Sequence, residues 1–217
     1  MSQEIKDRAV IIGASAILDT SFLRTIGKDF LTVACDGGYY HFLREQAEPD
    51  LLIGDFDTLD ETLVKNPGKI YKLNPIKDDT DTFWAVKFLL SEGYREIHFY
   101  GCLGQKIEHT LGNIQLLSYL SEKGIRGYLH TPDDSEVLFM LSSSYVTFRK
   151  EAHGKISVLS YDGVAHGVSE TNLRYPLNKA DLTSSVPLGV SNEFIGKEAT
   201  VSVENGRLLI IAPKDSL

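Results

Sequence analysis

Two short acidic segments hold the side chains best suited to chemistry. Gly54-Asp55-Phe56-Asp57 follows an apolar run, and Lys77-Asp78-Asp79-Thr80-Asp81 precedes a helical pattern. Carboxylates this close repel one another unless a cation or several N–H donors compensate them. Carboxylate oxygens are also what Mg²⁺ prefers, one or two commonly coming from protein and the rest from phosphates and water. Asp55 and Asp57 sit two apart at a strand end, where alternate side chains face opposite ways. Both reach one cation only if the chain bends there, and Gly54 offers the bend. A solvated aspartate-rich loop is the plainer alternative. In the second segment, helix capping by Thr80 or Asp81 accounts for one or two of the acids, with a macrodipole benefit of about 0.3–1 kcal/mol. It leaves the third acid and Lys77 unexplained.

Residues just beyond strand ends matter because an open α/β sheet binds ligands outside the carboxyl ends of its strands. The first two-thirds of the chain alternates strand-like runs with helical patterns, the signature of β–α units around a mostly parallel sheet. Ala9–Gly13, Leu31–Cys35, Leu51–Gly54, Ile70–Leu73, Glu96–Tyr100 and Gly127–His130 read as strands; Tyr39–Gln46, Thr80–Glu92 and Glu108–Glu122 read as helices. Two further strand-end segments carry glycine. Asp36-Gly37-Gly38 lets backbone N–H groups approach a phosphate at a helix start, and a plain tight turn explains it equally well. Gly101-Cys102-Leu103-Gly104-Gln105-Lys106 runs into a helix on which His109 and Asn113, four apart, share a face. A core histidine with a satisfied hydrogen bond is the ordinary fate of such a residue. The lone Trp84 falls inside a helix, where a packing role is expected.

Beyond about Leu141 the helical period disappears, and alternating strands are separated by Gly, Pro, Asn and Asp. Ser144–Arg149, Lys155–Leu159, Gly163–Glu170 and a hairpin of Ala199–Val203 with Arg207–Ile211 around Asn205-Gly206 are expected. The expected architecture is therefore α/β: an N-terminal Rossmann-like, mostly parallel sheet flanked by helices (residues 1–142), then a small all-β sandwich domain (residues 143–217).

A length of 217 residues suits two small domains. With 42% hydrophobic and 24% charged residues the chain reads as folded and globular. A net charge of −8 without a Lys/Arg cluster excludes nucleic acid as the expected partner. An acidic protein that binds an anion must reverse its local potential, and a carboxylate-held divalent cation does so. Cys35 and Cys102 each lie in an apolar run and are expected as buried free thiols. No apolar stretch approaches the length of a membrane span, and the N-terminal residues lack a signal-peptide pattern, so a cytoplasmic location is expected.

Taken in order, these segments resemble the thiamine pyrophosphokinases, whose pattern runs D-G-G, P-D-x-x-x-G-D-F-D-S, K-D-x-T-D and G-x-x-G-G-R-x-D-H-x-x-x-N. Later elements agree: Gly167-Val168, Leu173-Arg174-Tyr175-Pro176-Leu177 and Gly189-Val190-Ser191-Asn192-Glu193. Thr58 stands where Ser is usual, Gln105-Lys106 where G-R is commoner, and Glu108 where Asp is commoner. Lys keeps positive charge without the bidentate fork of Arg. The resemblance implies Mg²⁺-dependent transfer of diphosphate from ATP to the hydroxyl of thiamine, in a homodimer with its active site at the subunit interface. By that resemblance Asp55, Asp57, Lys77, Asp78 and Asp81 are the catalytic set, with Asp55, Asp57 and Asp81 on the metal. Asp36, Gly37, Gly38, Thr80, Gly101, Gly104, Gln105, Lys106, His109 and Asn113 serve the nucleotide, and Ser191 and Asn192 serve thiamine. Transfer to another heterocyclic alcohol such as a hydroxymethyl-pterin, or non-catalytic nucleotide or vitamin binding, are the alternatives.

Overall fold

A computed structural model of the protein describes residues 7–76 and 78–217. The chain divides into two compact units, Met1–Leu116 with Ile125–Asp133, and Leu117–Gly124 with Asp134–Leu217.

The first unit holds β1 (Arg8–Ile12), β2 (Leu31–Cys35), β3 (Leu51–Gly54), β4 (Lys69–Lys72), β5 (Glu96–Tyr100) and β6 (Arg126–His130). Their order is β6-β5-β1-β2-β3-β4, and each adjacent pair is parallel. The helices are α1 (Tyr39–Glu45), α2 (Asp81–Ser91) and α3 (Ile107–Glu122). Parallel strands covered on both faces read as continuous apolar runs, and Ala9, Val10, Ile11 and Ile12 are all fully buried. Val10, Ile12, Ala34 and Leu52 pack with Tyr39 and Phe42 of α1. Ala9, Ile11, Val33 and Ile53 are also fully buried and, by the period of two, point to the other face. There α2 lies against β1, β2 and β3, with Ala85, Val86 and Leu89 buried. Thr80 caps α2: its Oγ1 accepts from the Phe83 N–H at 3.1 Å. Trp84 packs in a partly exposed aromatic group, stacked on Phe88 with centroids 5.8 Å apart and tilted against Tyr71 of β4 at 5.4 Å.

The second unit contains β7 (Glu136–Ser142), β8 (Tyr145–Phe148), β9 (Lys155–Ser160), β10 (Val164–Thr171), β11 (Leu177–Thr183), β12 (Asn192–Glu193), β13 (Ala199–Ser202) and β14 (Arg207–Pro213). They form two antiparallel runs, β12-β9-β14-β7 and β11-β10-β13-β8. The Phe148 and Phe194 rings meet edge to face at 5.3 Å.

Two sequence expectations are corrected here. The strands on either side of Asn205-Gly206 do not pair: β13 lies between β10 and β8, and β14 between β7 and β9. The turn reverses the chain but passes it from one sheet to the other. The side-chain patterns explain the choice. In β13 buried Ala199 and Val201 alternate with half-exposed Thr200 and Ser202, which suits a sheet with one wet face. In β14 the run Leu208-Leu209-Ile210 is wholly buried and takes two partners, one on each side. Strand β7 was not expected, because Val137-Leu138-Phe139 is continuously apolar and shows no alternation.

Cys35 and Cys102 are buried free thiols, and burial pushes the Cys102 thiol up to about 12. Among the described residues no helix is long and apolar enough to cross a membrane.

Candidate active site at the strand ends

The carboxyl ends of β5, β1, β2 and β3 converge because their glycines allow backbone contact. A Cβ on Gly13 would stand 2.5 Å from the Gly101 carbonyl oxygen, and one on Gly38 only 2.0 Å from that of Ile12. The Gly13 and Ser15 N–H groups donate to the carbonyls of Tyr100 and Gly101 at 2.8 and 2.9 Å. His41 on α1 braces the same loop from the other side. Its Nε2 lies 3.0 Å from the Ser15 carbonyl, which can only accept, so Nε2 carries the proton. Burial lowers the His41 pKa, consistent with a neutral ring. Sequence reading passed over this Gly13-Ala14-Ser15 turn; its signal is a run of small residues directly after a strand.

Asp36, Asp55 and Asp57 come together at the ends of β2 and β3, each offering an oxygen within 4.8 Å of the others. The backbone there is bent where glycine is not: Asp36 has φ 45° and Phe56 φ 62°. The left-handed conformation costs a non-glycine residue about 1–2 kcal/mol. This corrects the expected role of Gly54. The bend that brings Asp55 and Asp57 round is at Phe56, whose ring packs against the core around Phe42. Gly54 is required for a different reason, since a Cβ there would press on Asp36 Cβ at 3.0 Å.

Thr58 donates its hydroxyl to Asp36 Oδ2, so the residue that stands where Ser is usual keeps a use for the hydroxyl. Asp36 Oδ1 is buried without a hydrogen-bond partner among the described residues. Burial first, then the charges of Asp57 and Asp81, push the Asp36 carboxyl above its ordinary value, against the hydrogen bonds from Thr58 and the Gly37 N–H. Asp81 thus reaches the group through its field from the first turn of α2. A buried oxygen without a donor, facing other carboxylates, is what a bound divalent cation would satisfy.

The remaining candidates divide by their partners. Asp78 is exposed before α2, whereas Asp79 pairs with Lys87. Lys77 lies outside the described residues. Beyond β5, Gly101 has φ 63°, Gly104 φ 89° and Gln105 φ 37°, and Gln105, Lys106, Glu108 and His109 are exposed. Thr110 Oγ1 accepts from the Gly104 N–H at 3.1 Å, tying this loop to α3. Asn113 is buried, and its Nδ2 donates to the Cys102 carbonyl at 2.8 Å, so its amide holds the loop from beneath. Its neighbour on the helical face, His109, is the one open to a ligand. In the second unit Ser191 is exposed at φ 61°, while Asn192 is buried and hydrogen-bonded to its own chain.

Comparison with known proteins gives these features a family. The model described as "Thiamin pyrophosphokinase, catalytic domain" matches residues 22–129, and "Thiamin pyrophosphokinase, vitamin B1 binding domain" matches residues 144–208. The thiamine pyrophosphokinase of Bacillus subtilis (strain 168) is 27% identical over 190 residues, covering 85% of this chain and 88% of that protein. A crystal structure of the Bacillus subtilis enzyme superposes with TM-score 0.83 at 25% identity, over 96% of this chain and 99% of the other. The yeast enzyme shares the fold, with TM-score 0.78 at 18% identity over 100% of this chain and 89% of its own.

Proposed function

The chain belongs to the thiamin pyrophosphokinase family, and from that premise we propose that it is a cytoplasmic enzyme transferring diphosphate from ATP to the hydroxyl of thiamine, giving thiamine diphosphate and AMP. The observation that carries the reading is the meeting of Asp36, Asp55 and Asp57 at the ends of β2 and β3, inside the segment matched by the catalytic-domain model. On a chain of net charge −8, such a group repels ATP unless a cation reverses the local potential. These carboxylates would hold a divalent cation such as Mg²⁺, which would supply the positive charge that diphosphate transfer needs.

In this reading Asp55, Asp57 and Asp81 would hold the metal, with Asp36 joining them through its buried oxygen. Asp78 or Asp81 accepts the hydroxyl proton, and Lys77 pairs with phosphate charge. Gly37 and Gly38, in a tight turn packed against the end of β1, lie beside the nucleotide, as does Thr80. The loop Gly101, Gly104, Gln105 and Lys106, with His109 beyond it, contacts the phosphate end, and Asn113 supports that loop. The first unit serves the nucleotide and the second serves thiamine, through the segment at Ser191 and Asn192. The active form is a homodimer with its active site at the subunit interface.

AMP release measured with thiamine, with a hydroxymethyl-pterin, and with no acceptor tests the proposal. AMP formed with thiamine alone is expected; AMP formed equally without it overturns the reading. Asp81→Asn is expected to abolish turnover in a folded protein, and a near-normal rate removes Asp81 from its role. Full activity from a strict monomer at high dilution would contradict the dimer.

A further inference from the structure

A carboxyl group withdrawn from water needs compensation, and each missing hydrogen bond carries a desolvation cost. Glu170 on β10 is 1% exposed. Its Oε2 accepts from Asn192 Nδ2 at 2.6 Å, and its Oε1 has no hydrogen-bond partner among the described residues. The Asn192 amide is in turn fully used. Nδ2 also donates to the Tyr175 carbonyl at 2.8 Å, and Oδ1 accepts from the N–H groups of Tyr175 at 3.0 Å and Glu193 at 2.8 Å. An amide has two donor hydrogens and two acceptor lone pairs, so none is left for a ligand.

The segments on either side are tied together as well. The Arg174 N–H donates to the Glu193 carbonyl at 2.9 Å, Arg174 Nη1 meets Glu193 Oε2 at 3.0 Å, and Leu173 bridges Phe194. Directly before this knot Ser191 is exposed at φ 61°, its N–H donating to Ser157 Oγ at 3.0 Å.

We infer that Glu170 is a positioning residue for the thiamine side of the reaction: it orients the Asn192 amide, which clamps the chain so that the Ser191 hydroxyl is presented to the acceptor. The inference rests on the reading that this segment serves thiamine, and it moves Asn192 from contact to support. Glu170 touches no reacting atom. It acts by choosing which way the amide faces.

Glu170→Met keeps the side chain's length and leaves no cavity but removes the acceptor. It is expected to raise the KM for thiamine about tenfold while the KM for ATP stays within about twofold. Glu170→Gln, which can accept the same hydrogen bond, is expected to restore most of the loss. Ser191→Ala should raise the thiamine KM by itself, and adding Glu170→Met to it should cost little more, because both act on one contact. Asn192→Ala is a second route to the same loss, and either it or the Met variant decides the matter if the other fails to fold. An unchanged thiamine KM, an equal rise in both KM values, failure of Gln to rescue, or fully multiplicative effects with Ser191→Ala would each overturn the inference. Wild-type protein that releases no AMP with thiamine overturns the functional reading and this inference together; wild-type protein that does so, beside an unaffected Glu170→Met, overturns the inference alone.

Discussion

Asp36 in the first unit and Glu170 in the second are both carboxyls with one oxygen bonded and the other buried without a partner among the described residues. Burial is the first cause of a raised pKa at each. Their surroundings differ. Asp36 faces like charge, with Asp55 and Asp57 offering oxygens within 4.8 Å and the Asp57 and Asp81 fields adding to its shift. Glu170 faces a neutral amide whose hydrogen bonds are all spent inside the protein. Protonation relieves the second arrangement, and only a cation relieves the first without giving up several negative charges. In the proposed reading the first is therefore a metal site and the second a support that needs no ligand.

The largest expected effect lies in the first arrangement. Asp57→Asn should lower turnover by about 10³-fold, since it removes several kcal/mol of charge stabilisation in the reaction. Its melting temperature in chelator should equal or exceed that of the wild type, because one repulsive charge has gone. Mg²⁺ should then stabilise the wild type and leave the variant nearly unmoved. Loss of several degrees by the variant in chelator would mark the cluster as structural and break the comparison.

Glu170 yields a smaller, pH-dependent effect. Its folded pKa is raised above the ordinary 4.5, so ionisation disfavours the folded state. Its contribution is most favourable below the unfolded value and declines as pH rises from there to the folded one, at up to about 1.4 kcal/mol per pH unit. Glu170→Gln should flatten that slope in a stability profile taken across this window. A slope unchanged by the substitution would show that the carboxyl is compensated by something other than Asn192.

The β–α units of the first unit were legible because glycine and proline punctuate them, and β2 and β3 fall on the expected residues. The acidic motifs were legible as residue types. Their geometry was not. Only glycine advertises a left-handed backbone in a sequence, so the bend appeared to belong to Gly54 and not to Phe56. Asn205-Gly206 marks a reversal but says nothing of which strands will flank the returning chain, hence the mistaken hairpin. The resemblance assigned Asn192 to thiamine, whereas the partners that fill its amide include Tyr175 and Glu170, 17 and 22 residues away. Three-dimensional saturation leaves no trace in local spacing.

Asp79 supplies the smallest effect and a control within the acidic segment itself. It stands beside Asp78 and two residues before Asp81, so charge density alone would group all three. In the fold it pairs instead with Lys87, eight residues on in the second turn of α2, and Lys87 also lies 4.9 Å from the centroid of the Phe83 ring. Both partners are partly open to water, where an ion pair contributes about 0–1 kcal/mol and is screened by salt. Asp79→Asn should therefore change stability by no more than about 0.5 kcal/mol and leave turnover within about twofold of wild type. Steady-state rates at low and high ionic strength check it. A tenfold loss of turnover at both would instead place Asp79 with Asp36, Asp55 and Asp57 in the proposed metal and phosphate site.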